Sequence, residues 1–140
     1  MKKLLSILLS TLFIVALLAP GLCMAIGEES IESPENPTRY SLTSSISAAL
    51  SISGGTAHAA GNVSAKYASA HCSITVKLQK KGSNGAWNNV KTWTGSGTLS
   101  ASAGGDVSVS SGSYRTCVIG SVTYNGSTEY TYKYSATKTY

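Results

Sequence analysis

Apolar residues in this chain fall on alternate positions. From Tyr40 onward, Leu42, Ile46, Ala48, Leu50 and Ile52 are all even-numbered, with Ser or Thr at most sites between them, and Gly54-Gly55 ends the run. A period of two is the mark of a strand that buries one face, because successive side chains on an extended backbone point to opposite sides. Ala57, Ala59, Val63, Ala65 and Tyr67 repeat the rhythm on odd positions, with Gly61 interrupting as a bulge or a close backbone contact does. Ile74, Val76 and Leu78 then alternate with Thr75, Lys77 and Gln79. Lys80-Lys81-Gly82-Ser83-Asn84-Gly85 reads as a turn, and Trp87, Val90 and Trp93 as the returning strand. Leu99, Ala101, Val107 and Val109 flank Gly104-Gly105, and Tyr114, Thr116, Val118 and Val122 lead to a second Asn-Gly turn at 125–126. Tyr130, Tyr132, Tyr134 and Ala136 finish with the same alternation. No stretch has a helical period.

About seven short strands separated by Gly and Asn turns predict an all-β fold, an antiparallel two-sheet sandwich over residues 40–140, with a small closed barrel as the alternative. Two segments precede it. Met1-Lys2-Lys3 is a positive start, Leu4 to Leu18 is almost wholly apolar, Pro20-Gly21 breaks any helix, and Cys23-Met24-Ala25 offers a cleavage site. Residues 1–25 therefore read as a signal peptide, too short in its apolar core for a spanning helix of about 20 residues. Pro20 and Leu22 stand where a lipoprotein signal places Leu and a small residue, which argues against lipidation of Cys23. Residues 26–39, rich in Glu, Ser, Pro and Asn, read as a flexible acidic leader. The expected product is a secreted domain of about 115 residues, extracellular or held at the cell wall, without a permanent membrane span.

Export changes the reading of the cysteines. Cys72 and Cys117 remain after cleavage, and an oxidising compartment favours a disulfide between them. Strand geometry pulls the other way, since an antiparallel pairing sets the two several residues apart. A disulfide and two free thiols both stay open.

Charge is distributed unevenly around a net +5. Glu28, Glu29, Glu32 and Glu35 crowd the leader, whereas beyond Pro37 the acids are Asp106 and Glu129 alone. The folded part is basic, which favours anionic partners: a wall polymer, an acidic glycan or a lipid headgroup. Lys77, Lys80, Lys81, Lys91 and Arg115 are the candidate contacts, joined by Trp93, whose side of the sheet the pattern leaves open. Trp87 is expected in the core, where its hairpin returns over the sandwich.

The segment Ile74-Thr75-Val76-Lys77-Leu78-Gln79-Lys80-Lys81, with Asn84-Gly85-Ala86-Trp87, Val90, Gly112-Ser113-Tyr114-Arg115 and Tyr134-Ser135, resembles fibronectin type III and immunoglobulin-like sandwiches. It resembles more closely the small exported proteins of Gram-positive bacteria built on such a domain. The resemblance spans about Tyr40 to Tyr140 and implies a fold without an activity. Immunoglobulin domains place a Tyr two residues before the second Cys; here Tyr114 precedes Cys117 by three.

Catalytic constellations do not assemble from the sequence. Asp106 and Glu129 read as surface and turn residues rather than as a glycosidase pair. His58 and His71 lack a nucleophile elbow and an orienting acid, and His71-Cys72 lacks the further ligands a metal requires. The glycines at 95, 97, 104 and 105 precede no helix and hold no phosphate. No metal, no cofactor and no nucleic-acid partner is expected. The leading expectation is a non-enzymatic module on an anionic envelope surface; the alternative is an effector or inhibitor docking on another protein, for instance along a sheet edge.

Overall fold

The structure, a computed structural model, describes residues 40–140. The signal peptide read over 1–25 and the leader read over 26–39 lie outside the described residues. Eight strands follow one another: β1 (Thr43–Ser53), β2 (Thr56–Ala65), β3 (His71–Lys81), β4 (Trp87–Thr98), β5 (Ser100–Ser108), β6 (Ser113–Tyr124), β7 (Ser127–Tyr134) and β8 (Lys138–Thr139). They form two antiparallel sheets, β1-β2-β5 and β4-β3-β6-β7, with the two-residue β8 pairing β6 beyond the end of β7. The described residues are all-β, and the sandwich prevails over the closed barrel. Its organisation is compatible with an immunoglobulin-like domain.

The alternation sets the core. Leu50, Ala57, Ala59, Val63 and Ala65 from one sheet meet Cys72, Ile74, Val76, Leu78, Val118 and Val122 from the other, all buried. Two close approaches depend on glycine. A Cβ on Gly61 would stand 2.6 Å from Val118 Cγ2 and 2.8 Å from Val76 Cγ2, so the missing side chain makes room for the facing sheet. Cβ atoms on Gly95 and Gly97 would stand 2.3 Å from Ser102 O and 2.4 Å from Ser100 O. The glycines of β4 thus let it lie against the backbone of β5, where the two sheets close on each other.

Tyr114 locks the start of β6. Its ring is buried, and its hydroxyl donates a 2.7 Å hydrogen bond to the carbonyl of Ser110, four residues upstream. This is the tyrosine-corner arrangement of Greek-key sandwiches. Two residues on, where an immunoglobulin domain carries its second cysteine, stands Thr116. Its buried hydroxyl donates across the interior to Ala49 O of β1 at 3.0 Å. This hydrogen bond ties β6 to β1 across the two sheets.

Cys72 and Cys117 are both free, and both buried. The disulfide is excluded by register and by face. Cys72 pairs with Val122, while Cys117 pairs with Lys77, five residues further along β3. That offset is about 16 Å at about 3.3 Å per residue, against a disulfide limit of about 6.8 Å between Cα atoms. Cys72 also belongs to the core, whereas Cys117, next to the core residue Val118, points out of the opposite face.

Two aromatic assignments change as well, and the side of Trp93 is settled. The ring of Trp87 lies outside the sandwich, against Arg115. Trp93 packs inward on the core, its Nε1 2.6 Å from where a Cβ on Gly105 would be. Tyr67 lies past the end of β2, exposed, and stacks on Tyr124 with ring centroids 4.2 Å apart. Leu99 leaves its expected face too: it turns between β4 and β5 at a φ of 70° and stands exposed.

Candidate anion-binding face

The outer face of the four long strands β4-β3-β6-β7 is set by what the inner face buries. Because Val76, Leu78, Tyr114, Thr116 and Val118 point in, Lys77, Gln79, Lys81, Arg115, Cys117 and Ile119 point out. Register then arranges them in rows across the strands. Lys81 stands beside Trp87; Asn89, Gln79 and Arg115 form the next row; Lys77, Cys117 and Tyr134 the next. Ile119 with Tyr132, and Ser121 with Tyr130, continue along β7.

Arg115 is the centre of this face. Its guanidinium carbon lies 4.3 Å from the ring centroid of Trp87 and 4.1 Å from that of Tyr134, so the cation is held between two aromatic faces. Its Nε–H donates to Gln79 Oε1 at 2.9 Å, and Gln79 Nε2 in turn donates to Asn89 Oδ1 at 3.0 Å. Ring contact and hydrogen bond together hold the fork in place, with its two terminal nitrogens still able to donate. Lys81 Nζ sits 5.9 Å from the Trp87 ring centroid on the same side.

No carboxylate answers these cations among the described residues. Asp106 pairs with His58 at 2.6 Å on the outer face of the other sheet, where the two are cross-strand neighbours. Glu129 is committed to the start of β1, accepting from Ser41 N at 2.7 Å, Ser41 Oγ at 2.9 Å and Thr43 N at 2.7 Å. Partial burial works against its ionisation, but the donors of Thr43 and Ser41 outweigh that and bring its carboxyl down to about 2. Asp106 and Glu129 thus stand on different sheets with separate structural partners.

Cys117 lies at the floor of the face. Burial pushes its thiol up, while the Tyr134 side chain and the charges of Arg115 and Lys77 pull the other way. Burial likewise raises Cys72 in the core. His71 and Cys72, adjacent in sequence, point to opposite faces of β3 and do not act together. Among the described residues no group of three or more His, Cys, Asp or Glu side chains is placed to hold a metal ion, and no helix is long and apolar enough to cross a membrane.

Of the residues singled out from the sequence, Lys77, Lys81 and Arg115 share this face. Lys80 does not: its Nζ donates to Ser110 Oγ at 2.8 Å and lies 5.5 Å over the Tyr114 ring, closing the end of the core. Lys91 is exposed on the edge strand β4, opposite Leu78 beside the register shift, in the phase of the inner face. Trp93 points inward. Trp87, Gln79 and the three tyrosines of β7 complete the face without having been singled out as a group. Parity against Tyr114 carries the signal for Arg115, Cys117 and Ile119; nothing local to β7 carries it for the tyrosines. No protein-family model, curated protein or solved structure matches the chain significantly.

Proposed function

We propose that this chain is a non-enzymatic, exported module of the immunoglobulin-like class, nearest the fibronectin type III arrangement, that associates with an anionic surface of the cell envelope. The split of strands into β1-β2-β5 and β4-β3-β6-β7 and the tyrosine corner at Tyr114 support the class. The N-terminal sequence supports export, and the resemblance carried by residues 74–135 supports a Gram-positive source. The observation that carries the binding reading is Arg115, fixed between Trp87 and Tyr134 and flanked by Lys77 and Lys81, with no ion pair to any of the three among the described residues. A fixed guanidinium loses little freedom when it engages an anion, and its paired donors match a carboxylate or a phosphate.

Co-sedimentation of the secreted protein with purified cell walls tests this reading. Retention is expected to fall as salt rises, since exposed charges are screened, and to fall in R115A while K91A stays close to the parent. Retention indifferent to salt and to R115A contradicts it.

A further inference from the structure

The tyrosines of β7 continue the face away from Arg115, and they are oriented against expectation. Tyr130 and Tyr132 are 63% and 39% exposed, while Thr131 between them is buried. The outward side of this edge strand is therefore its aromatic side. Tyr134, Tyr132 and Tyr130 pair in turn with Cys117, Ile119 and Ser121 of β6, so they stand in line. Their spacing is about 6.6 Å per step along the strand. On the sheet side of the line, Ser121 of β6 stands beside Tyr130, Ser73 and Thr75 follow on β3, and Thr92 and Thr94 lie on the far edge strand β4, all with hydroxyls on the same face. The strip thus has a cationic end, a row of aromatic rings and a bed of hydroxyl groups.

We infer that this strip is the binding site of an acidic polysaccharide lying along β7, an anionic group of the polymer on the Arg115 fork and sugar rings on Tyr132 and Tyr130. This rests on the anionic-surface reading above and narrows it to a chemical class. A pyranose has an apolar face that stacks on an aromatic ring and a rim of hydroxyls that exchanges hydrogen bonds with Ser and Thr. Its acidic substituent is matched by a planar donor pair such as Arg115 retains. A polyanion without sugar rings would use the cations alone and leave the tyrosines in water. A lipid surface would sit poorly on a row of rings laid flat along a strand of the sheet rather than on protruding loops. Charge complementarity and the linear aromatic row select the same occupant.

Affinity electrophoresis of the domain through gels containing polygalacturonate, poly-glutamate or neutral dextran separates the claims. Polygalacturonate and poly-glutamate are expected to retard the wild type and dextran to have little effect. Y130A/Y132A, which alters only exposed rings, is expected to bind polygalacturonate about tenfold more weakly while its retardation by poly-glutamate is unchanged. R115A is expected to weaken both. If Y130A/Y132A matches the wild type on polygalacturonate, or weakens on both polyanions alike, the sugar assignment falls and the electrostatic reading stands. If the wild type is retarded by neither polyanion, both fall.

Discussion

The carboxylate of Glu129 accepts a 2.7 Å hydrogen bond from the backbone N–H of Thr43, joining β7 to the first residue of β1 across 86 positions of chain. The two strands belong to different sheets. A side chain readable in the sequence as a surface acid is a clamp between the sheets, and it makes stability dependent on pH. Its carboxyl is lowered from 4.5 to about 2 in the folded protein. The clamp is therefore at full strength above the unfolded pKa and is lost as pH falls from about 4.5 towards 2. Glu129→Gln should cost about 1–2 kcal/mol at pH 7, the shift being discounted for partial exposure. Urea unfolding of both proteins should show the gap closing as pH falls to 2.5; a constant gap would contradict the assignment.

Both thiols should be present in the folded protein and shielded. A thiol reagent added to the native domain should react slowly, and two equivalents should appear on unfolding in urea without reductant. Addition of reductant should leave Tm unchanged. A fall of several degrees with reductant would reveal a bond that the register forbids.

Gly61→Ala should destabilise by about 1–3 kcal/mol, because the added methyl meets Val118 and Val76 from the facing sheet. Val118→Ala in the same chain should recover part of that loss, although alone it also destabilises. Strictly additive losses in a double-mutant cycle would show that the two side chains do not compete for one space.

Tyr114→Phe should cost about 1–2 kcal/mol through the lost bond to Ser110 O, with the strand pattern unchanged by circular dichroism. An unaffected Tm would mean that the corner holds by packing alone.

The rhythm of the sequence delivers most of this fold because a strand that buries one face must alternate, as Ile74, Val76 and Leu78 do. It fails in an instructive place. Tyr130, Tyr132 and Tyr134 alternate just as cleanly, yet they face out, because the inner side of β7 is tight. A Cβ on Gly120 would already stand 2.9 Å from Val63 Cγ2 and 3.0 Å from Thr131 Oγ1. Periodicity tells which residues share a face; partners on neighbouring strands decide which face is dry. The placement of Trp87 and Trp93 on opposite faces has a related cause. Lys91 pairs with Leu78 but Asn89 with Gln79, and this one-residue shift puts Trp87 outside and Trp93 inside. The candidate site was legible as single residues, Lys77, Lys81 and Arg115, and became a connected face only when register set Arg115 between rings from two other strands.

The most direct test of the proposed binding face uses the two indoles of the domain, one on each side of the sheet. In a 1H–15N titration of the domain with galacturonate oligomers, the Trp87 indole and the amides of Gln79, Arg115 and Tyr132 should shift together, while the Trp93 indole and the outer face of β1-β2-β5 stay in place. Shifts centred on Trp93 or on the His58–Asp106 face, or none at all, would contradict the account.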